Sequence, residues 1–475
     1  MIAGLKPYAE YRDSGLPWLG ATPAGWGLTR AKYLFREVDE RSTTGKEELL
    51  SVSHLTGVTP RSLKTVTMFM AESNVGHKVC RPDDVVINTL WAWMGALGVA
   101  RDTGIVSPAY GVYRPLRRSD MLPAYADHLL RTPLYSAEYQ RRSTGVNSSR
   151  LRLYPEQFLR VPVLTPPVDE QAAIVRFLDW ANGRLERAVR AKRKVIALLA
   201  EQKQAFVRRA VAQGIREQGP LRPSGVRWIG DIPQHWQVRK LKQCISRIEQ
   251  GWSPQCDAQP AGVTDWGVLK VGCVNKDTFS ADQNKKLPTT VVPIASLEVR
   301  DGDILVSRAN TTELLGLAAL VEEPREKLLL SDKLFRFRAD ANQVVPKFLV
   351  LALRSRQSRV QIESSTNGAS SSMQNIGQAV LKNLWLSLPP ISEQNEIVGH
   401  IAVATKPANE AISRLEREIG LLREYRTRLI ADVVTGQLDV RDAAARLPDV
   451  ATDNDASEAD DDLDAAELDD EETPA

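Results

Sequence analysis

Long hydrophobic runs and paired cysteines are missing from this 475-residue sequence. No run approaches the ~20 apolar residues that a membrane-spanning helix needs, and the N-terminus lacks the apolar core of a secretory signal. The four cysteines, Cys80, Cys244, Cys256 and Cys273, form no C-x-x-C pair, which argues against a zinc site and favours free thiols in a reducing compartment. We therefore expect a cytoplasmic protein that does not associate with a membrane.

Sequence motifs for catalysis are also absent. There is no phosphate loop of the G-x-x-x-x-G-K-[ST] type, no N-P-P-aromatic tetrapeptide of an amino-methyltransferase, and no G-x-G-x-x-G after a strand. The five histidines lack the spacing of a metal site or a catalytic triad. Asp83 and Asp84 could begin a metal-dependent nuclease signature, but no E-x-K follows, so we interpret Asp84 and Asp303 as turn residues. The sequence predicts a binding protein without catalytic or metal-binding residues of its own.

The net charge of +3 hides an uneven distribution. Residues 449–475 contain 13 acidic residues and no lysine or arginine, so the rest of the chain has 62 basic and 46 acidic residues, a net charge of +16. A body this basic favours a polyanionic partner such as nucleic acid. We expect the tail to be disordered and solubilising, and competition for the basic surface is the alternative.

The pattern P-P-x-x-E-Q-x-x-I-V occurs twice, at residues 166–175 and 389–398, and each copy opens a long helical run. Asp169 and Ser392 are expected to cap the first turns, in which a glutamate suits the helix dipole. The runs extend to about residues 212 and 434. At ~1.5 Å per residue, each helix would be roughly 66 Å long, far longer than most globular helices.

Apolar residues follow at heptad spacing in both runs, which predicts an antiparallel coiled coil. Polar residues at seam positions, such as Lys192, Gln202 and Glu418, are expected to set its register. Pro407 is expected to kink the second helix, because proline removes a backbone hydrogen bond, whereas the aligned residue of the first helix is Arg184. Two unrelated surface helices are the alternative, but the shared motif and offset favour a matched pair.

A second repeat opens each half of the chain. Residues 14–26 and 224–236 share the pattern S-G-x-x-W-x-G-x-x-P-x-x-W with an offset of 210. We expect the glycines and prolines to fix turns and the four tryptophans to pack into cores. Stacking of the tryptophans on nucleobases, aided by nearby basic residues, is the alternative.

Between the repeats lie two blocks of different length, 39–160 and 249–385, and both have the pattern of mixed α/β domains. Strands are predicted at 84–88, 110–113, 303–307 and 334–337, and short helices at 123–132 and 346–358. The predicted organisation is an α+β fold in which two globular domains are joined by two long helices in a pseudo-two-fold repeat. Its predicted segments are 1–38, 39–160, 161–222, 223–385, 386–441 and an acidic tail, 442–475.

These repeated motifs make the chain resemble the specificity subunits of type I restriction–modification systems. The resemblance covers residues 8 to about 441. It is carried by the opening motif, by the duplicated P-P-x-x-E-Q-x-x-I-V, and by a closing segment at 434–441. The acidic extension departs from the family pattern.

The resemblance implies two target-recognition domains, each of which reads one half of a split site in double-stranded DNA. Methyltransferase subunits would dock on the conserved regions and bring S-adenosylmethionine. A restriction subunit would bring ATP- and magnesium-dependent translocation and cleavage. This chain would bind none of these cofactors and would be the non-catalytic subunit.

Base edges are read by forked donors and amides, with arginine suited to guanine and asparagine or glutamine to adenine. Loops at strand ends supply such residues, and Arg308-Ala-Asn310 resembles the recognition loop of the family most closely. The predicted DNA-binding residues are, in the first domain, Asn88, Trp91, Arg101, Asn147, Ser148 and Arg150, and in the second domain, Trp252, Arg308, Asn310, Thr311, Ser371 and Gln374.

Three other functions remain open at this point. The chain could be the recognition adaptor of a modification-only or other methylation-based defence complex. It could be a stand-alone DNA nuclease or methyltransferase, or a coiled-coil scaffold without a DNA role. Neither the base sequence that it reads nor the gap between half-sites follows from the residues.

Overall fold

The structure is a computed structural model that describes residues 5–64, 73–117, 120–145, 151–215, 219–365 and 374–448. The chain folds as two compact units, and the division falls inside both long helices. The first unit comprises Met1–Lys192 and Arg417–Ala475, and the second comprises Arg193–Glu416.

The first unit is built mainly from antiparallel strands. Its strands are β1 (Tyr11–Asp13), β2 (Ala21–Pro23), β3 (Gly27–Arg30), β4 (Phe35–Glu37), β5 (Leu50–Ser53), β6 (Gly57–Pro60), β7 (Lys78–Cys80), β8 (Val85–Ile87), β9 (Leu97–Val99), β10 (Gly104–Val106), β11 (Gly111–Pro115) and β12 (Pro162–Thr165). Its N-terminal part contains the helices α1 (Pro123–Leu130), α2 (Pro133–Arg142), α3 (Pro155–Phe158) and the first part of α4 (Val168–Gln213). A four-stranded sheet in the order β4-β11-β8-β9 forms the centre.

The second unit has a closely similar plan. Its strands are β13 (Leu221–Pro223), β14 (Asp231–Pro233), β15 (Gln237–Lys240), β16 (Glu249–Gln250), β17 (Gly267–Leu269), β18 (Asn284–Lys286), β19 (Ile304–Ser307), β20 (Ala309–Asn310), β21 (Ala318–Leu320), β22 (Leu328–Leu329), β23 (Leu334–Phe337), β24 (Gln374–Asn375) and β25 (Trp385–Leu388). Its helices are the end of α4, α5 (Pro346–Arg354), α6 (Arg356–Glu363), α7 (Gln378–Lys382) and the first part of α8 (Ile391–Val434). The central sheet has the order β16-β23-β19-β21.

The predicted strands and helices of both blocks are present. The central strands β8 and β19 are fully buried apolar runs, as expected for strands covered on both faces. The helix predicted at 346–358 is two helices, α5 and α6, because the chain breaks at Ser355, whose extended backbone and side chain cap α6.

The long helices begin directly after the two Pro-Pro pairs, as the repeated motif predicts. Each starts one residue before the expected cap, so Asp169 and Ser392 lie inside the first turn and are not caps. The carbonyl of Pro167 accepts the first helical hydrogen bond, from the amide of Gln171, and Pro390 does the same for Gln394. A helix can start at that point because no proline follows to forbid it.

The repeated glutamines join each helix start to its own unit. Gln171 is fully buried, accepts from the amide of Leu122 at 2.8 Å, and donates to the carbonyl of Pro166 at 2.8 Å. Gln394 is also fully buried, accepts from the amide of Val345 at 2.8 Å, and donates to the carbonyl of Pro389 at 2.9 Å. Each glutamine thereby fixes the residue before a short helix, α1 or α5, against the start of a long one.

Within the first unit, the start of α4 packs against the end of α8. Phe177 of α4 and Val433 of α8 belong to one buried core. Farther along, Glu186 pairs with Arg426 at 3.1 Å, and Lys192 pairs with Glu418 at 2.5 Å. The helices therefore run in opposite directions in this unit.

Within the second unit, the end of α4 packs against the start of α8. Val211 and Ile397 share a core, and the Phe206 ring lies 5.5 Å from that of His400. Gln202, expected at the seam, is exposed. The helix continues through Pro407. Because Pro407 has no backbone N–H, the carbonyl of Val403, four residues earlier, lacks its usual helical hydrogen bond. Val403 is 75% exposed, so this carbonyl lies on a side of the helix that water can reach.

The C-terminal segment completes the first unit. The amide of Asp439 donates to the carbonyl of Lys6 at 2.8 Å, and the Tyr11 hydroxyl donates to the carbonyl of Gly436 at 2.9 Å. A short helix, α9 (Arg441–Ala445), follows, with Ala444 buried. The first seven residues of the predicted tail, 442–448, thus belong to the folded unit, and residues 449–475 lie outside the described residues.

The opening motifs are packed, as predicted, with one exception. Trp26 and Trp236 are 2% and 1% exposed, and Trp18 lies edge-on to Tyr135. Trp228, however, is 39% exposed and contacts the guanidinium of Arg227. The prediction that all four tryptophans pack into cores was therefore wrong for Trp228. The residue 223 positions after Tyr135 is a serine, so the second unit has no matching aromatic ring for Trp228.

Candidate nucleic-acid interface

Arg308 follows the buried strand β19 and lies at the edge of the second unit. Its amide donates to the carbonyl of Lys333 at 2.8 Å, which continues the pairing of β19 with β23. One guanidinium nitrogen, Nη1, donates to the carbonyl of Asp332 at 3.3 Å. This bond orients the side chain, and a guanidinium has further N–H groups that can contact a ligand.

Asn310 and Gln374 are brought together by the pairing of β20 with β24, in which they are direct partners. The Asn310 amide donates to Oδ1 of Asn275 at 3.4 Å, and its oxygen accepts from the backbone amide of Thr311 at 2.9 Å. Thr311 is exposed. The predicted residues Arg308, Asn310, Thr311 and Gln374 thus lie along one stretch of polar edge.

The segment that carries Trp252 reaches the same edge through Asp332. Gln250 donates to the carbonyl of Asp332 at 3.2 Å, which also accepts from Arg308. The hydroxyl of Ser253 donates to the carboxylate of Asp332. Trp252 itself is half-buried against an apolar cluster that includes Leu329. The structure therefore links Arg308 and the neighbours of Trp252 through hydrogen bonds to the same residue, Asp332.

In the first unit, Asn88 and Trp91 lie together after strand β8. The Asn88 amide donates to the Tyr110 hydroxyl at 3.2 Å, and its oxygen accepts from the amide of Leu90 at 3.3 Å. The Trp91 side chain is 36% exposed, and its amide donates to the Asn88 carbonyl. The hydrogen bonds of Asn88 stabilise this turn, and the turn exposes the side chain of Trp91.

Arg101 is not part of that turn. Strand β9 runs antiparallel to β8, so Leu97 lies opposite Ile87, beside Asn88, while Val99 lies opposite Val85. Arg101 follows Val99 and is therefore at the other end of the strands, where it is exposed. Asn147, Ser148, Arg150 and Ser371 lie outside the described residues.

Three residues at the second edge were missed in the sequence. They are Gln250, Asn275 and Lys333, of which Gln250 and Lys333 are exposed. Lys333 directly precedes the predicted strand at 334–337, and this position could have identified it as a strand-end residue. Asn275 is 35 residues from Asn310, and only the fold brings the two together.

The cysteines are free thiols, as predicted. Burial raises the pKa of the Cys80 thiol to about 11 and that of Cys273 to about 12, so these sulfurs stay protonated. Among the described residues, no group of three or more histidine, cysteine, aspartate or glutamate side chains could hold a metal ion. No helix in the described part of the chain is long and apolar enough to cross a membrane.

Residues 233–419 match the type I restriction modification DNA specificity domain. The chain is 34% identical over 204 residues to the type I restriction enzyme EcoEI specificity subunit of Escherichia coli, covering 42% of this chain and 34% of that protein. It is 26% identical over 208 residues to the putative type I restriction enzyme MjaX specificity subunit of Methanocaldococcus jannaschii, covering 44% and 47%. The chain therefore spans a third to a half of the length of these two relatives.

The fold is also similar to that of a chain solved in work on complex assembly and conformational transition of the type I R-M system. The TM-score is 0.51 at 16% identity, over 87% of this chain and 98% of the other. This likeness concerns the fold alone.

Proposed function

We propose that this chain, whose residues 233–419 match the type I restriction modification DNA specificity domain, selects the DNA sequence for a type I restriction–modification complex. In this role it reads a bipartite site in double-stranded DNA. It carries out no chemistry itself, and it presents the bound DNA to other subunits.

The observation that carries this proposal is the polar edge of the second unit. Arg308, Asn310 and Gln374 lie within the matched domain, where Asn310 and Gln374 are partners in paired strands and Arg308 directly precedes the first of these strands. An arginine fork suits the O6 and N7 acceptors of guanine, and the two amides suit adenine. The net charge of +16 outside the tail supports contact with phosphates.

The two units are proposed to read one half-site each. The recognition domains are residues 39–160 and 223–385, and Asn88, Trp91 and Arg101 belong to the first of them. The same strand pairings in both units, β3 with β12 and β15 with β25, support a pseudo-two-fold repeat. Residues 161–222 and 386–441 would form the antiparallel coiled coil, supported by the opposite helix directions within each unit.

Partner subunits supply the chemistry in this proposal. Methyltransferase subunits bring S-adenosylmethionine, and a restriction subunit brings ATP and magnesium. The complex acts in the cytoplasm, and residues 449–475 serve as a solubilising extension. A modification-only complex would use this chain in the same way, without the restriction subunit.

Mapping of methylated adenines across the genome of a host cell tests the function. Cells that express the chain with its methyltransferase subunits are compared with cells in which only the gene for this chain is deleted. We expect methylation at a split motif that disappears with the deletion. An unchanged methylation pattern would contradict the role, and cleavage or methylation of DNA by the purified chain alone would favour a stand-alone enzyme.

A further inference from the structure

In the second unit, the carboxylate of Asp277 lies between two cations from different helices. Nζ of Lys203, in α4, is 2.8 Å from Oδ2, and Nη2 of Arg354, in α5, is 3.3 Å from Oδ1. The side chains of Lys203 and Arg354 are only 20% and 17% exposed, whereas Asp277 is 66% exposed. Asp277 thus offsets the repulsion between two cations that water screens poorly.

Lys203 joins this bridge to both long helices. Besides Asp277, its Nζ contacts Oδ1 of Asn409, in α8, at 3.3 Å. Partial desolvation by the surrounding protein raises the pKa of Asp277, but the hydrogen bond and charge of Lys203 and the charge of Arg354 lower it by more. The carboxylate is therefore ionised at neutral pH, and the segment that carries it is held to α4 and α8.

Arg354 fixes the backbone of that segment on both sides of Asn275. Its guanidinium donates to the carbonyls of Val274 at 3.2 Å, Lys276 at 2.9 Å and Ala318 at 2.9 Å. A planar donor that holds several carbonyls at once leaves the segment little freedom. Asn275 is therefore presented in a defined position.

The side chain of Asn275 meets the proposed base-reading edge. Its Oδ1 accepts the hydrogen bond of Asn310, the direct strand partner of Gln374. The NH₂ group of Asn275 takes no part in that bond and can donate to a purine N7 or to O6 of guanine. Contacts thus run from the long helices through Asp277 and Arg354 to Asn275 and Asn310.

We propose that Asn275 is a further base-contacting residue and that Lys203, Asp277 and Arg354 are positioning residues that hold it in place from the long helices. The proposal rests on the proposed function. Reading of the second half-site then depends on an ion bridge made by α4, because displacement of the helix from Asp277 releases the segment that presents Asn275.

The first unit offers an internal reference. Arg131, 223 residues before Arg354, likewise donates to loop carbonyls, those of His54 at 3.0 Å and Leu55 at 2.8 Å. Its ion-pair partner is Asp127, at 3.5 Å, in the helix α1 that Arg131 directly follows. In the second unit the acid is Asp277, which belongs to the loop whose carbonyls Arg354 binds. We therefore expect only the second half-site to respond to changes in the ion bridge.

The test uses the full chain with methyltransferase subunits from the same organism, and a library of double-stranded DNA with randomised positions. We expect Asn275→Ala to reduce discrimination at one or two base pairs of the second half-site by about tenfold. Asp277→Asn and Lys203→Met should relax the same base pairs by about three- to tenfold. Their double variant should add little to the larger single effect, because both break one bridge, and Lys203→Arg should restore discrimination.

The control is Lys347→Met, which removes an exposed ion pair with Glu322, whose side chain is 57% exposed. This variant should select the same motif as the unchanged chain. Thermal melts check folding, and Asp277→Glu replaces any variant that does not fold. Unchanged discrimination in both Asn275→Ala and Asp277→Asn would overturn the inference, as would an equal loss at both half-sites. If the unchanged chain selects no motif, the proposed function fails, and this inference fails with it.

Discussion

The carboxylate of Asp84 accepts two hydrogen bonds from the guanidinium of Arg114, each at 2.9 Å. Oδ2 also accepts from the backbone amide of Arg81, which closes the turn before β8. The Asp84 side chain is 1% exposed. The hydrogen bond that Arg114 donates to Asp84 is the largest of the contributions that raise the pKa of Arg114. The residue interpreted as a turn former therefore also makes a buried ion pair across the central sheet.

The second unit repeats this arrangement. Asp303 accepts from the amide of Arg300 at 2.9 Å and from Nε of Arg338 at 2.8 Å. In both units the carboxylate closes a turn and accepts hydrogen bonds from an arginine. That arginine lies at the C-terminal end of a neighbouring strand, or directly after it. Both carboxylates are thus engaged by arginine, which supports a structural role for them.

Asp84→Asn should destabilise the first unit by about 3–5 kcal/mol, because it leaves the half-buried Arg114 without its main charged partner. Hydrogen exchange at the amides of β8 and β11 measures the loss. Arg81→Met is the control. It removes only an exposed pair with Glu40, and its effect should stay below about 1 kcal/mol. Equal effects of the two substitutions would contradict the account.

Glu138 makes the stability of the first unit sensitive to acid. Burial raises the pKa of Glu138, but hydrogen bonds from Arg141 and Arg142 lower it by more, so its net shift is below the ordinary value of 4.5. A lowered folded pKa means that the stabilisation is fully present above about pH 4.5 and is lost as pH falls through the folded value.

Glu138→Gln should therefore reduce the stability of the first unit at pH 7 and flatten its decline between about pH 4.5 and lower pH. Unfolding followed by hydrogen exchange at several pH values measures this. The matched control is Glu156→Gln, at an exposed position of the same unit. If the stability of the Glu138→Gln variant falls as steeply in acid as that of the unchanged chain, Glu138 is not the source of the acid sensitivity.

Two adjacent leucines of α4 distinguish the packed side of this helix from its solvent side. Leu199 is half-buried, while Leu198 is 56% exposed. We expect Leu199→Glu to destabilise the second unit by about 1–3 kcal/mol and to impair assembly, because it places a charge against packed side chains. Leu198→Glu should cost less than about 0.5 kcal/mol. Thermal melts and co-purification with methyltransferase subunits compare the two, and normal assembly of Leu199→Glu would count against the paired-helix proposal.

Closure of the first unit by its C-terminal segment depends on Gly436. Its φ is 76°, and a Cβ atom would lie 2.5 Å from the ring of Pro23 and 3.1 Å from Trp26. Gly20 has a similar φ of 69° but open space around it. Gly436→Ala should lower the free energy of unfolding of the first unit by about 2–4 kcal/mol, and Gly20→Ala should lower it by about 1 kcal/mol. Hydrogen exchange in the first unit measures both. A similar cost for both would mean that the segment does not pack there.

The long helices and central strands were predictable because their signals are local. A Pro-Pro pair stops the preceding segment, and the apolar run at 304–307 can only be a buried strand or helix segment. The reason for the repeated glutamines was not predictable. Gln171 and Gln394 are surrounded by polar sequence that suggests a solvated first turn, and their buried partners lie about 50 residues earlier.

The candidate interface was predictable only in part, for a similar reason. Arg308 and Asn310 follow a recognisable strand, so their place at an edge could be inferred. Gln374 joins them through strand pairing over more than 60 residues, and Asn275 through a side-chain contact. Arg101 and Asn88 were both predicted in strand-end loops of the first domain, and the antiparallel pairing of β8 and β9 places them at opposite ends of these strands.

We propose that each unit reads one half of a split DNA site. The most direct measurement is selection from a randomised double-stranded DNA library by the unchanged chain and by a variant with both Arg308→Ala and Asn310→Ala. The unchanged chain should select two short blocks separated by an unspecified gap. The variant should lose one block, at about 1–3 kcal/mol per contacted base pair, while it keeps the other block and still binds methyltransferase subunits. Retention of both blocks by the variant, or a single block in the unchanged chain, would contradict the claim.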